Sequence, residues 1–165
     1  LNPKEVYRLK LTTRGRYGLR ALIDLAVHEM DGTVSVQSIA QRQQISESYL
    51  EQLIRSLKKA GLVESVRGAG GGYHLAKPAS EISVGDILRA LEGDIDAVSC
   101  PALKGVETDV AAGCAGSDWC VTKYVWKQIN DAISDAVDSI MLDQLVNESR
   151  ELLEENGAEA VPCRN

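Results

Sequence analysis

The chain's most reactive side chains are its four cysteines, Cys100, Cys114, Cys120 and Cys163. The first three are spaced C-x13-C-x5-C, in a stretch that has no helical period from Asp94 to about Ser117 and is broken by Pro101, Gly105, Gly113 and Gly116. A loop longer than about 15 residues in a compact chain is usually functional or without fixed structure. Three thiols on such a loop, ending where a helix begins, can converge on one centre. Thiolates hold iron–sulfur clusters and zinc, and without metal they form a set of redox-active thiols. The uneven spacing lacks the paired C-x2-C knuckles of structural zinc sites. No apolar run approaches the roughly 18 residues of a membrane span, and residues 1–8 have no signal-peptide core. A cytoplasmic location is therefore expected, and in that compartment ligand or sensor thiols are favoured over disulfides.

The elements that must position these thiols begin with a helix predicted from Thr12 or Thr13 to Met30, burying Leu22, Leu25 and Ala26, with Gly32 behind its end. A short helix follows Ser35 and buries Val36, Ile39 and Ala40. The clearest element starts at Ser46 as its cap: Leu50, Leu53, Ile54 and Leu57 recur at i, i+3, i+4 and i+7, and Gly61 marks the exit. Its other face shows Glu47, Ser48, Glu51, Gln52, Arg55, Lys58 and Lys59. Two short helices around a tight turn, the second with a polar face, form a helix-turn-helix pattern.

Leu62 to Arg67 and Tyr73 to Ala76 read as two strands joined across Gly68–Gly72, a hairpin wing whose tip, with Gly70, suits close approach to a nucleic acid surface. A phosphate-loop reading fails because no Lys-Ser/Thr follows the glycines. A fourth helix is predicted over Ser83–Leu91, with a Ser83/Asp86 capping box. A long helix is predicted from near Asp118, followed after Leu142 by a shorter acidic helix to about Glu155. The spacing 126-129-133-136-140 is an a/d seam, which predicts a homodimer along this helix, although packing onto its own domain would leave the same stripe.

Charge supports this division. Residues 1–77 carry 12 Lys and Arg against 7 Asp and Glu, and residues 78–165 carry 6 against 17. A basic half that can face phosphates is thus joined to an acidic half, within an overall charge of −6. Composition is that of an ordinary soluble protein, 44% hydrophobic and 25% charged. With only His28 and His74 available, no Ser-His-Asp or Cys-His catalytic set can be assembled, so an enzyme is not expected. A cluster or metal carrier that retains a winged fold is the reading from another class.

The segments LTTRGRYGLRAL (11–22), SIAQRQQISESYLEQLIRSLKKAGLVESVRGAGGGY (38–73) and SVGDILRALEG (83–93) resemble the family of winged helix-turn-helix regulators that contains IscR, NsrR and CymR, and most of all its iron–sulfur members. The likeness is collinear over about residues 9–145. It implies a mainly α fold with a small hairpin wing and a long dimerisation helix. The implied divisions are an extension at 1–8, a DNA-binding domain at 9–93, a cysteine loop at 94–120, dimerisation and terminal helices at 118–155, and a fraying tail at 156–165.

By this resemblance the chain is a repressor or dual regulator that binds pseudo-palindromic operator DNA as a homodimer. Ser48 and Gln52 would touch bases or adjacent phosphates, Arg67 would enter the flanking minor groove, and Glu51 would discriminate between operator classes. Arg14, Arg16, Tyr17, Arg55 and Lys58 would hold phosphates. Cys100, Cys114 and Cys120 would hold an iron–sulfur cluster, [2Fe-2S] before [4Fe-4S] or zinc, served by the iron–sulfur assembly machinery. The family's usual first interval is eight residues shorter, and its usual histidine ligand is replaced here by Lys123. Asp24 of a partner subunit, Cys163 or a small exogenous ligand then remain as the fourth donor. A CymR-like, metal-free regulator controlled by a protein partner is the alternative within the family.

Overall fold

A computed structural model describes residues 12–68, 70–98, 100, 102–103 and 119–156. Cys114, Cys163, the expected extension at 1–8 and most of the cysteine loop lie outside the described residues.

Helix α1 (Thr13–His28) starts where the Thr12 hydroxyl accepts the Arg14 N–H at 3.1 Å. It stops before the predicted Met30: Glu29–Asp31 is a tighter 3-10 turn, closed by Gly32 at φ 123°. Helix α2 (Val36–Gln43) is capped by the Ser35 side chain on Ser38 N–H. Gln44 ends it in the left-handed region, φ 54°, which makes the tight turn into α3 (Glu47–Lys59). Ser46 precedes α3 in extended conformation and its carbonyl accepts from Leu50 N–H at 3.0 Å, but its side chain makes no capping bond, contrary to expectation.

Strands β1 (Val63–Val66) and β2 (Gly72–Leu75) pair antiparallel, with Val63 opposite Leu75 and Val66 opposite Gly72. The hairpin has an unforeseen third partner. Val34 and Tyr73 exchange two backbone bonds of 2.9 and 2.8 Å, and the Thr33 hydroxyl donates to the Gly70 carbonyl at 2.6 Å. The wing is therefore anchored to the α1–α2 connection at the start of β2 and at Gly70.

Helix α4 (Val84–Glu92) has the predicted capping box, with Ser83 and Asp86 serving each other's backbone N–H, and Gly93 leaves it at φ 83°. Helix α5 (Thr122–Asp138) begins four residues after the expected Asp118, and α6 (Leu142–Asn156) follows a short corner. That corner is stitched to the start of α4: Val84 N–H donates to Ile140 C=O at 2.9 Å and Leu142 N–H to Ile82 C=O at 2.8 Å.

One core joins α1–α4, the wing and α6. Leu22, Leu25, Ile39, Leu50, Leu53, Ile54, Leu57 and Ile87 are its fully buried centre, and α6 adds Leu142 and Val146. Each such side chain contributes about 1.5–3 kcal/mol by leaving water. The acidic helix α6 lays its apolar edge against α1 and so completes this core.

The α5 helix behaves differently, with no buried residue at all. Trp126, Asn130, Ile133, Ser134 and Val137 are half-buried on one side, while Val125 (47%) and Ile129 (38%), and Ile140 (39%) just beyond the helix, remain exposed. Its attachment to α4 includes polar bonds beside these half-buried side chains. Arg89 donates two bonds of 2.7 Å to the Asp138 carboxylate and one of 3.1 Å to Ser134. This pairing holds the Asp138 carboxyl below its usual range. Gly85 leaves the room that Asp138 occupies, since a β-carbon there would overlap the carboxylate.

Candidate nucleic-acid interface and cysteine loop

Ser48, Glu51, Gln52, Arg55 and Lys58 form one exposed stripe on α3, because the opposite positions 50, 53, 54 and 57 are consumed by the core. The stripe is held from two sides. Arg14, at the exposed start of α1, donates to Ser56 Oγ at 2.6 Å, and Lys58 Nζ donates to Ser65 Oγ of β1 at 2.5 Å. The start of α1, α3 and the wing strand are thereby bonded into one contiguous surface. Arg16 and Arg67 are also exposed, Arg67 just beyond the end of β1.

Tyr17 is less available than its neighbours. Its half-buried ring meets Tyr49 edge-on at 6.1 Å, with the Arg20 guanidinium 5.5 Å from its centroid. The ring packs α1 against α3, a contact that the spacing of arginines and tyrosine did not reveal.

The glycine run of the wing divides by cause. A β-carbon on Gly71 would meet the Val66 and Gly68 carbonyl oxygens at 2.7 and 2.8 Å, and one on Gly72 would meet the Val34 carbonyl at 2.8 Å. Gly68 takes φ 118°. Gly68 and Gly71 are required by the turn itself, and Gly72 by the close approach of Val34 to β2. Around Gly70, by contrast, there is nothing within 4 Å of an added β-carbon.

Two supports were not foreseen from the sequence. Glu92, in the last turn of α4, accepts from Thr12 N–H (3.1 Å), the Thr12 hydroxyl (2.6 Å) and Gly15 N–H (2.7 Å). The carboxylate satisfies the unpaired amides at the start of α1 and complements its positive end. Because Gly93 and the cysteine loop follow directly, the loop's root is bonded to the turn that carries Arg14 and Arg16. Secondly, Asp24 is 5% exposed and is held by Arg42 Nε and Nη2 and by Gln43 Nε2 at 2.8 Å. Asp24 is therefore already engaged inside its own subunit, which makes it a poor fourth metal ligand. Its place on the apolar stripe of α1, four residues before His28, was the available signal for a buried partner.

Cys100 and Cys120 are free thiols, both half-buried. Cys120 stands two residues before α5, where the Thr122 hydroxyl, then the backbone N–H of Lys123, favour the thiolate and hold its pKa below the ordinary thiol range. Such a donor set fits a thiolate-bound iron–sulfur group in its chemistry. Among the described residues no three His, Cys, Asp or Glu side chains gather around a common point; Cys114 lies outside them. The Lys123 ammonium lies 5.2 Å from the Tyr124 ring centroid. No helix among the described residues is long and apolar enough to cross a membrane.

A helix-turn-helix whose second helix keeps a polar edge in solvent, followed by an anchored glycine-tipped hairpin, defines a winged helix-turn-helix DNA-binding protein. The comparisons narrow the class. The chain belongs to the Rrf2 family of iron-dependent transcriptional regulators, which it matches over residues 11–148. It is 44% identical to the HTH-type transcriptional regulator IscR of Pectobacterium carotovorum, over 88% of this chain and 84% of that protein. IscR of Photorhabdus laumondii is 43% identical over 90% of this chain and 85% of its own length. Among solved structures, T. potens IscR superposes with a TM-score of 0.66 at 44% identity, covering 87% of this chain and 90% of that one. CymR, the global cysteine regulator of B. subtilis, superposes with a TM-score of 0.66 at 40% identity, covering 84% and 97%. The protein is accordingly an IscR-like, DNA-binding transcriptional regulator.

Proposed function

We propose that the protein binds operator DNA as a homodimer and that its affinity or operator choice is set by an iron–sulfur group on Cys100, Cys114 and Cys120. The observation that carries the DNA half is the exposed α3 stripe braced by Arg14–Ser56 and Lys58–Ser65. Ser48 and Gln52 would reach base edges, and Glu51 would reject sites that offer only acceptors. Arg14, Arg16, Tyr17, Arg55 and Lys58 would take phosphates, and Arg67 the minor groove. When bound, the group supplies a centre whose presence and oxidation state follow iron, sulfide and redox conditions; [2Fe-2S] is the form the family resemblance favours. The chain's own residues do the coupling. Movement of the loop pulls on Gly93 and Glu92, and through Glu92 on Thr12 and the arginine-bearing turn of α1. Such control requires that the two loop states bind DNA differently.

The decisive comparison is operator binding by anaerobically purified protein against its Cys100→Ala/Cys114→Ala/Cys120→Ala variant, with iron and sulfide analysis. Different affinity or different site preference is expected, by about fivefold or more. Equal affinity and equal preference remove the sensing role, and a colourless protein with stoichiometric zinc replaces the cluster by another metal.

The wing offers a separate check. Gly70→Glu should leave stability within about 0.5 kcal/mol yet weaken operator binding, because its neighbourhood is open in the protein and faces phosphate in the complex. Gly71→Ala should instead lower stability by about 1–3 kcal/mol, since its β-carbon meets backbone. Thermal melts and a salt-dependent binding titration separate the two. Unchanged binding by Gly70→Glu would remove the wing tip from the interface.

A further inference from the structure

Helix α5 is joined to the rest of its own subunit by a polar ladder at one residue per turn, Asn130, Ser134 and Asp138. The lower two rungs hold Arg89 of α4. The upper rung holds the cysteine loop: Val98 N–H donates to Asn130 Oδ1 at 3.2 Å, and Asn130 Nδ2 donates to the Val98 carbonyl at 3.0 Å. That same carbonyl accepts the N–H of Cys100 at 3.1 Å, and the Cys100 carbonyl accepts from Leu103 N–H at 2.9 Å. A side-chain amide that engages both backbone groups of one residue fixes orientation as well as position, as a strand partner would.

We propose that Asn130 is a positioning residue for the cysteine loop. It pins the backbone entering Cys100 to the same helix that begins two residues after Cys120, so both thiols are referred to one rigid element. The helix supplies the stiffness: Asn130 lies a little over two turns into α5, beyond its fraying end. An isolated loop would have to order Cys100 at the moment of binding, with the entropy that ordering costs. The inference rests on the cluster reading for its purpose, but the clamp exists independently of it.

The test uses the full chain with Asn130→Ala and Asn130→Asp, the latter keeping size and acceptor while losing the donor. Reconstituted anaerobically with ferrous iron and sulfide, both variants should show an altered visible circular dichroism spectrum. They should also lose their visible absorption to a chelator about tenfold faster or more than wild type. In the metal-free proteins, amide exchange over residues 97–103 should quicken, while the melting temperature and metal-free DNA affinity stay at wild-type values. A wild-type spectrum and loss rate, unchanged exchange, or a general drop in melting temperature would each overturn the positioning role. If wild type itself takes up no cluster, the cluster reading fails alone, and exchange over 97–103 decides the clamp.

Discussion

Val125→Glu/Ile129→Glu should leave the protein folded but monomeric, and should weaken operator binding by about two to four orders of magnitude, the gain that linking two half-site contacts provides. Helix α5 turns its half-buried side and its polar ladder toward its own subunit and leaves Val125 and Ile129 exposed, with Ile140 exposed just past its end. Of the expected 126-129-133-136-140 seam, Trp126 and Ile133 are half-buried while Ile129 stays exposed beside Val125, one turn away on a helix of 17 residues, and such an exposed apolar edge can pair with a second copy. Pairing would bury several side chains worth about 1.5–3 kcal/mol each. Two carboxylates facing their own images in that seam would have to be desolvated without a partner cation, which reverses the balance. Sedimentation measures the association state and fluorescence anisotropy the operator affinity. A variant that stays dimeric, or a monomer that binds the full operator as tightly as wild type, sinks the arrangement.

Arg42→Met should reduce stability by about 3–5 kcal/mol, which in a chain of this size lowers the melting temperature by roughly 10 °C or more. Arg42 meets Asp24 through Nε at 3.0 Å to both carboxylate oxygens and through Nη2 at 2.5 Å to one of them. The Asp24 side chain is 3% exposed and that of Arg42 34% exposed. Deleting the guanidinium therefore strands a buried carboxylate on the Gln43 amide, with His28 Nδ1 at 3.6 Å as the other nearby group. Asp24→Leu/Arg42→Met should recover most of the loss, because no charge is then left without its partner. Chemical denaturation followed by circular dichroism gives both values. A single variant as stable as wild type would show that the pair does not tie α1 to α2.

Positions governed by their near neighbours were legible in the residues alone. The i, i+3, i+4, i+7 recurrence of Leu50, Leu53, Ile54 and Leu57 placed α3 and its outward stripe, and the Ser83/Asp86 pair marked the start of α4. Glycines at 32, 61 and 93 ended their elements at positive φ. These features follow from the repeat of one helix or the torsion of one residue. The same logic misled at Ser46, whose side chain makes no capping bond although its backbone conformation is that of a cap.

What the periodicity could not contain was which faces meet. The stripe of α5 reads the same whether it covers a second copy or its own domain, and only the packed chain shows α6 taking the place against α1 while α5 stays on a polar ladder. Thr12 meets Glu92 across 80 positions and Val98 meets Asn130 across 32. No local pattern encodes such pairings. A carboxylate four residues before a histidine, or an asparagine on a helix, gains its role only when burial removes water and leaves one remaining partner for each polar group.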